Sequence, residues 1–90
     1  MSQSLDPRLK RLLFRSWRRG TKEADLLFGC FAEAHLAGFT PSQLNRYEAL
    51  LEVSDALIFD WASGRATPPA AQDSDVLRLL LGFRLPRSPA

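Results

Sequence analysis

The sequence changes from basic to acidic within residues 17–25, which read WRRGTKEAD. Apolar residues recur at helical spacing on both sides, so Gly20 is predicted to end one helix while a second begins immediately after it. The arginines then lie in the last turn of the first helix and the carboxylates near the start of the second, as the helix dipoles favour. We take this junction as the candidate working surface. Its charged side chains are Arg18, Arg19, Glu23 and Asp25.

The first helix is predicted to begin at Asp6-Pro7, because aspartate is a favoured N-cap and proline suits the first helical position. Its apolar residues recur every three or four positions and form one stripe, which Phe14 widens. The basic residues of the segment take the opposite face. The stripe consists of Leu5, Leu9, Leu12, Leu13 and Trp17.

Capping residues and glycines delimit four more helices. The predicted fold is an all-α, single-domain bundle of five short helices over residues 1–90. Its ordered core is expected over about residues 6–82, with a flexible tail at residues 84–90. The later helices run from the junction to Gly38, from the Thr40-Pro41-Ser42-Gln43 capping box to about Val53, from Ser54 or Asp55 to Gly64, and from Asp73 or Ser74 to Gly82.

The composition is that of one small globular domain. The chain has 90 residues, of which 46% are apolar and 24% charged, and helix-forming residues dominate. A single cysteine, Cys30, leaves no intramolecular disulfide or thiolate metal cluster and favours a reducing compartment. No apolar run approaches the roughly 20 residues that span a bilayer, so no membrane insertion is expected.

Charge is distributed unevenly along the chain. Residues 1–22 contain seven of the twelve basic residues and one of the ten acidic ones. Such a segment is compatible with a nucleic-acid contact, an organelle transit peptide or a basic face for an acidic partner. Nucleic-acid binding stays the alternative function, since short helices can form a helix-turn-helix. Against it, the arginines line the first helix, and the acidic remainder of the chain would repel a polyanion.

The residue types that enzymes use are poorly arranged here. There is no glycine-rich phosphate loop and no dinucleotide-binding fingerprint. The only histidine, His35, follows Cys30 by five residues, so the two point apart on a helix. Glu23 and Asp25 are two residues apart and face different directions. We therefore expect no catalytic residues, no metal ligands and no enzymatic activity.

The junction matches a specific family pattern. Arg19-Gly20-Thr21-Lys22-Glu23 resembles the Arg-Gly-x-x-Glu motif of the FAD assembly factors of succinate dehydrogenase, which are small five-helix proteins of bacteria and mitochondria. Arg18 and Asp25 extend the match, which covers about residues 8–82. Further matching segments are Phe31-Ala32-Glu33, Tyr47-Glu48-x-Leu50-Leu51-Glu52, and Asp55 six residues before Trp61.

The resemblance implies a chaperone function. Such proteins bind the flavoprotein subunit of succinate dehydrogenase, and often that of fumarate reductase, and promote covalent attachment of FAD to it. The FAD is attached to the partner, and no cofactor is expected on this chain. The implied partner-binding residues are Arg19, Gly20 and Glu23, with Arg18 and Asp25 beside them.

Two positions depart from the family pattern, and neither lies in the motif. Cys30 stands where proline is common, and Leu57 stands where many members have an acid. The second change favours a core role for Trp61 over a polar contact by the fourth helix. Because no separate presequence is evident, the expected location is the bacterial cytoplasm, with the mitochondrial matrix the less favoured choice.

Overall fold

The computed structural model describes residues 6–83, which contain five α-helices, one 3-10 turn and no strand. The all-α prediction is confirmed. Leu5 and the predicted flexible tail at residues 84–90 lie outside the described residues. The helices are α1 (Pro7–Ser16), α2 (Lys22–His35), α3 (Pro41–Leu51), α4 (Asp55–Ser63) and α5 (Asp75–Leu81), with the 3-10 turn at Leu36–Gly38.

Every helix begins at a side chain that accepts a hydrogen bond from the first turn. The capping box before α3 is complete, because the Thr40 hydroxyl accepts from the Gln43 N–H and the Gln43 side chain accepts from the Thr40 N–H. This satisfies two backbone donors that the helix itself leaves unpaired. The other caps are Asp6, Thr21, Ser54 and Ser74.

The predicted end of α1 is wrong. The helix ends at Ser16, and Arg18 and Arg19 lie in the loop that follows it rather than in its last turn. In a continued helix the N–H groups of Arg19 and Gly20 would donate to carbonyls four residues back. Here both donate to Asp25 Oδ1, at 2.5 and 3.1 Å. A tertiary contact thus replaces the last helical turn.

Phe14 also departs from its predicted role. Its side chain is 60% exposed, so it does not widen the buried stripe of α1. The guanidinium of Arg18 lies over its ring at 4.5 Å from the centroid. Arg18 therefore shields part of a ring that stays largely in solvent, and the core loses one expected aromatic residue.

One hydrophobic core holds the helices together. Trp61 belongs to it, in agreement with the core role expected for that residue. No helix of the described chain has the length and apolarity required to cross a membrane. Large core side chains come from all five described helices and the 3-10 turn, and they include Leu12, Phe28, Phe31, Leu36, Leu44, Tyr47, Leu50, Leu51, Ile58, Trp61, Leu77 and Leu80.

A buried hydroxyl pair joins α1 to α3 inside this core. Ser16 Oγ lies 2.7 Å from the Leu12 carbonyl and 2.6 Å from the Tyr47 hydroxyl. Either hydroxyl can donate in the hydrogen bond between them, and the Tyr47 hydroxyl also donates to the Phe28 carbonyl of α2 at 3.4 Å. Burial raises the pKa of Tyr47 to about 12, while the Ser16 hydrogen bond and nearby arginines act in the opposite direction.

This raised pKa predicts a loss of stability in alkali. Between pH 10 and about 12 the unfolded chain releases the Tyr47 proton and the folded chain keeps it, so stability falls by up to about 1.4 kcal/mol per pH unit. Urea unfolding across this range measures the slope. Tyr47→Phe should flatten it, while lysines titrate equally in both proteins. Tyr47 is the only tyrosine, so tyrosinate absorbance reports its titration directly. A native pKa near 10 would contradict the prediction.

Candidate functional site

The loop between α1 and α2 presents Gly20 to solvent. Its φ is +122°, a backbone conformation that side chains with a Cβ rarely adopt. No heavy atom outside its immediate neighbours would lie within 4 Å of an added Cβ. Glycine is thus required here by backbone conformation rather than by crowding, and the space above it is open to an approaching molecule.

Arg19 turns away from solvent and into the protein. Its side chain is 8% exposed and forms an ion pair with Asp55, from Nη2 at 2.8 Å and Nε at 2.9 Å. Nη1 donates to the Leu51 carbonyl and Nη2 to the Val53 carbonyl, both at 2.6 Å. The guanidinium also lies 4.2 Å from the centroid of the Phe28 ring. Arg19 therefore ties the loop to the α3–α4 junction.

This geometry changes what is expected of Arg19. The sequence interpretation assigned its planar fork of donors to a partner, but the fork is already bound to an internal carboxylate and two carbonyls. A buried, fully paired guanidinium holds its own neighbours in place. Direct contact between Arg19 and a partner stays a prediction, and the role that the contacts support is positioning of the loop.

Asp25 holds the same loop from the other side. It lies in the first turn of α2, and its Oδ1 accepts the backbone N–H groups of both Arg19 and Gly20. The carboxylate is half-buried and engaged with these donors. Asp25 thus fixes the path of the backbone into Gly20 while Arg19 anchors the loop to α4.

Arg18 and Glu23 face outward. Arg18 is exposed and packs over Phe14. Glu23 is exposed on the first turn of α2, and among residues 6–83 it has no hydrogen-bond or ion-pair partner. The outward surface of the loop consequently runs from Gly20 to Glu23, with Arg18 beside it, and we call it the Gly20–Glu23 surface. Arg19 and Asp25 support it from below.

Sequence reasoning missed the importance of Asp55. The residue was noted for its spacing from Trp61, and nothing local predicted that it would pair with Arg19, 36 residues earlier. Its position in the first turn of α4 places the carboxylate toward the loop. The sequence offered one signal, an acid at a helix start with no basic residue three or four positions away on the same helix.

The basic face of α1 is partly neutralised inside the protein. Arg8 donates to Asn45 and Glu48 of α3, at 2.6 and 3.0 Å. Arg15 pairs with Glu48 and Glu52 of the same region, at 3.6 and 2.5 Å. Two arginines on which the nucleic-acid alternative rested are therefore bound to acidic side chains, and that alternative gains no support from the structure.

Metal-binding side chains do not cluster in the part of the chain that is described. Between residues 6 and 83, no group of three or more His, Cys, Asp or Glu side chains is placed to hold a metal ion. Cys30 is a free, half-buried thiol on α2.

Comparison with known proteins identifies the family. A family model described as "Flavinator of succinate dehydrogenase" matches residues 10–84, which include the loop, α2 and the α3–α4 junction. The matched region covers most of the chain. The resemblance inferred from the Arg-Gly-x-x-Glu motif is confirmed.

Curated relatives carry consistent names. The mitochondrial succinate dehydrogenase assembly factor 2 of Dictyostelium discoideum is 41% identical over 71 residues, which are 79% of this chain and 50% of that protein. The FAD assembly factor SdhE of Acetobacter pasteurianus is 37% identical over 78 residues, 87% of this chain and 72% of that protein. The chain spans about half the length of the first of these relatives and of several others.

The comparisons also correct the predicted location. A bacterial cytoplasmic protein was favoured because no separate presequence is evident, but most of the similar proteins are named mitochondrial assembly factors. The Acetobacter relative is bacterial. The cytoplasmic prediction is wrong, because it relied on the start of a chain that matches only part of these relatives. With its motif, its five helices and a family match over residues 10–84, the chain belongs to the family of succinate dehydrogenase flavinators.

Proposed function

We propose that this chain binds the flavoprotein subunit of succinate dehydrogenase and promotes covalent attachment of FAD to it. The observation that carries the proposal is the exposed Gly20–Glu23 surface, which lies inside the region matched by the family model. Glu23 offers a free acceptor, and the space over Gly20 admits a close backbone approach. Relatives named as assembly factors of this enzyme support the choice of partner.

The proposed mechanism is non-catalytic. The chain would hold the flavoprotein subunit in a conformation that favours formation of the flavin bond, and the reacting groups would belong to the partner. FAD would be attached to the partner and not bound by this chain, in keeping with the lack of a dinucleotide-binding fingerprint. The fumarate reductase flavoprotein is proposed as a second partner on the basis of the resemblance.

The test is co-expression with the cognate succinate dehydrogenase flavoprotein subunit. Glu23→Ala should lower covalent flavin fluorescence of that subunit several-fold, because truncating one of the few interface residues that carry binding energy costs more than about 1 kcal/mol. The substitution removes an exposed side chain without an internal partner in the described chain, so the fold should be unchanged by circular dichroism. A fumarate reductase flavoprotein arm tests the second partner in the same way.

Asp73→Ala is the matched control. Asp73 is an exposed acid that pairs weakly with Arg78 on the surface, away from Gly20. The Asp73→Ala chain should promote flavinylation of the partner as well as the unmodified chain does, because exposed ion pairs contribute little to stability. Equal flavinylation with Glu23→Ala and Asp73→Ala would contradict the site. Equal flavinylation with and without the chain would contradict the function.

A further inference from the structure

An apolar groove adjoins the Gly20–Glu23 surface. It consists of two depressions of about 450 and 360 Å³ between the start of α2, the outer face of α4 and the end of α5. Glu23 and Phe59 line both of them, so the two depressions adjoin at these side chains. The remaining apolar lining comes mainly from Leu27, Ala56, Ala62 and Phe83.

One of the two aromatic side chains in this groove, Phe59, is partly exposed. Phe59 is 37% exposed in the middle of α4, where the neighbouring Ile58 and Trp61 are buried in the core. A partly exposed aromatic ring beside a concave apolar surface is the arrangement that anchors protein partners. The groove therefore has the shape and composition of an interface centre.

The charge at the groove is negative. Two carboxylates line it, Glu23 and Asp55. Asp55 is neutralised by Arg19, whereas Glu23 has no partner among residues 6–83. No lysine or arginine of the described chain lines either depression. A complementary ligand consequently carries a positive charge beside its apolar group.

We propose that this groove receives a segment of the flavoprotein subunit in which an arginine or lysine lies beside a bulky apolar residue. The apolar side chain packs on Phe59 between Leu27 and Ala62, and the cation pairs with Glu23 at the rim. The inference rests on the proposed function and extends it, because it adds α4 and α5 to an interface that the motif alone would confine to the start of α2.

Because the groove adjoins the Gly20–Glu23 surface, a segment of the flavoprotein subunit is favoured over other occupants. Thr21 and Glu23 belong to both the groove and the Gly20–Glu23 segment, so a partner that covers Gly20 reaches the groove without a gap. Asp55, which pairs with Arg19 to fix the loop, also lines the groove. One docked segment can therefore contact both regions at once.

The experiment measures binding of the full chain to the purified cognate flavoprotein subunit by calorimetry. Ala62→Arg places a cation in the groove at an exposed helical position and should weaken binding roughly tenfold or more. Phe59→Ser should have a similar effect through loss of the aromatic anchor. Ala49→Arg, at an exposed position of α3 outside the groove, should change binding less than about twofold.

The outcomes separate this inference from the proposed function. If Glu23→Ala weakens binding while Ala62→Arg and Phe59→Ser bind as the unmodified chain does, the groove proposal is wrong and the proposed function stands. If the unmodified chain does not bind the subunit, both fail. Should Phe59→Ser unfold, Ala62→Arg decides, because Ala62 is exposed.

A photoreactive phenylalanine analogue at position 59 identifies the occupant. The expected crosslink is to a peptide of the flavoprotein subunit that contains an arginine or lysine near an apolar residue. A crosslink to a second copy of this chain, or to a partner peptide without a basic residue, would overturn the proposal.

Discussion

Replacing Arg19 with alanine is expected to lower the free energy of unfolding by about 3 kcal/mol or more. The substitution leaves the Asp55 carboxylate, which is 21% exposed, without its cation, and it removes the donors to the Leu51 and Val53 carbonyls. It also removes the contact with the Phe28 ring. Breaking one side of a largely buried ion pair costs far more than breaking a surface pair. Urea unfolding followed by tryptophan fluorescence measures the loss.

Arg18→Ala is the matched control for this prediction. Arg18 precedes Arg19 and is exposed, and its described contact is the stacking on Phe14. Its removal should cost less than about 1 kcal/mol. A double-mutant cycle with Asp55→Ala should show coupling between positions 19 and 55. Equal costs for the two arginines, or an uncoupled cycle, would refute the positioning role.

Loss of stability in Arg19→Ala would complicate a flavinylation assay of that variant. A flavinylation defect in Arg19→Ala would follow from a displaced loop as readily as from a lost partner contact. A flavinylation defect in Gly20→Arg would be equally ambiguous, because any side chain at φ +122° strains the backbone of the loop. Glu23→Ala is the cleaner probe of the docking surface, since the side chain is exposed and unpaired within residues 6–83.

Replacing Gly29 with alanine is expected to cost about 1–3 kcal/mol through overpacking. Gly29 is buried on α2, and the Trp17 indole lies directly against its Cα. An added Cβ would overlap the six-membered ring, so the indole must move. That movement also breaks the hydrogen bond from Trp17 Nε1 to Glu33, which measures 3.2 Å. Thermal unfolding and a shifted tryptophan emission spectrum would report both effects.

Gly38→Ala provides the comparison. Gly38 is exposed at the end of the 3-10 turn, its φ is not positive, and an added Cβ would have no heavy atom within 4 Å beyond its immediate neighbours. Alanine there should change stability by less than about 1 kcal/mol and can even stabilise the chain. If Gly29→Ala were as stable as Gly38→Ala, the close approach of Trp17 would not be limiting.

Helix starts were predictable because their determinants are local. Thr40 and Ser54 each accept a hydrogen bond from a backbone N–H three residues later, and such pairs are visible in the sequence. The sequence left Ser54 and Asp55 as alternatives for α4, and the structure selects the serine. The all-α class followed from the same signals together with helical spacing of the apolar residues.

The end of α1 and the role of Arg19 were not predictable, because they depend on contacts between residues far apart in the sequence. The partners of the Arg19 side chain lie 32, 34 and 36 residues further along the chain. Spacing rules apply to residues three or four positions apart on one helix and do not predict contacts between distant segments. Family resemblance predicted which residues of the junction contact a partner, and only the three-dimensional contacts separate those that face solvent from those that hold the loop.

The distant anchoring of Arg19 has a consequence for the order of folding. Contacts between residues far apart in sequence form late, because closing the intervening chain costs entropy before any contact compensates it. A nascent chain that has completed only α1 and α2 contains the whole Arg-Gly-x-x-Glu motif, together with Asp25 and Phe28, but it lacks the carboxylate and carbonyls that bind the Arg19 guanidinium. The anchoring of the loop is completed only when Leu51, Val53 and Asp55 are in place. If the proposed docking surface is correct, we expect it to take its final shape only after α3 and α4 have folded, so that incomplete chains bind the proposed partner poorly.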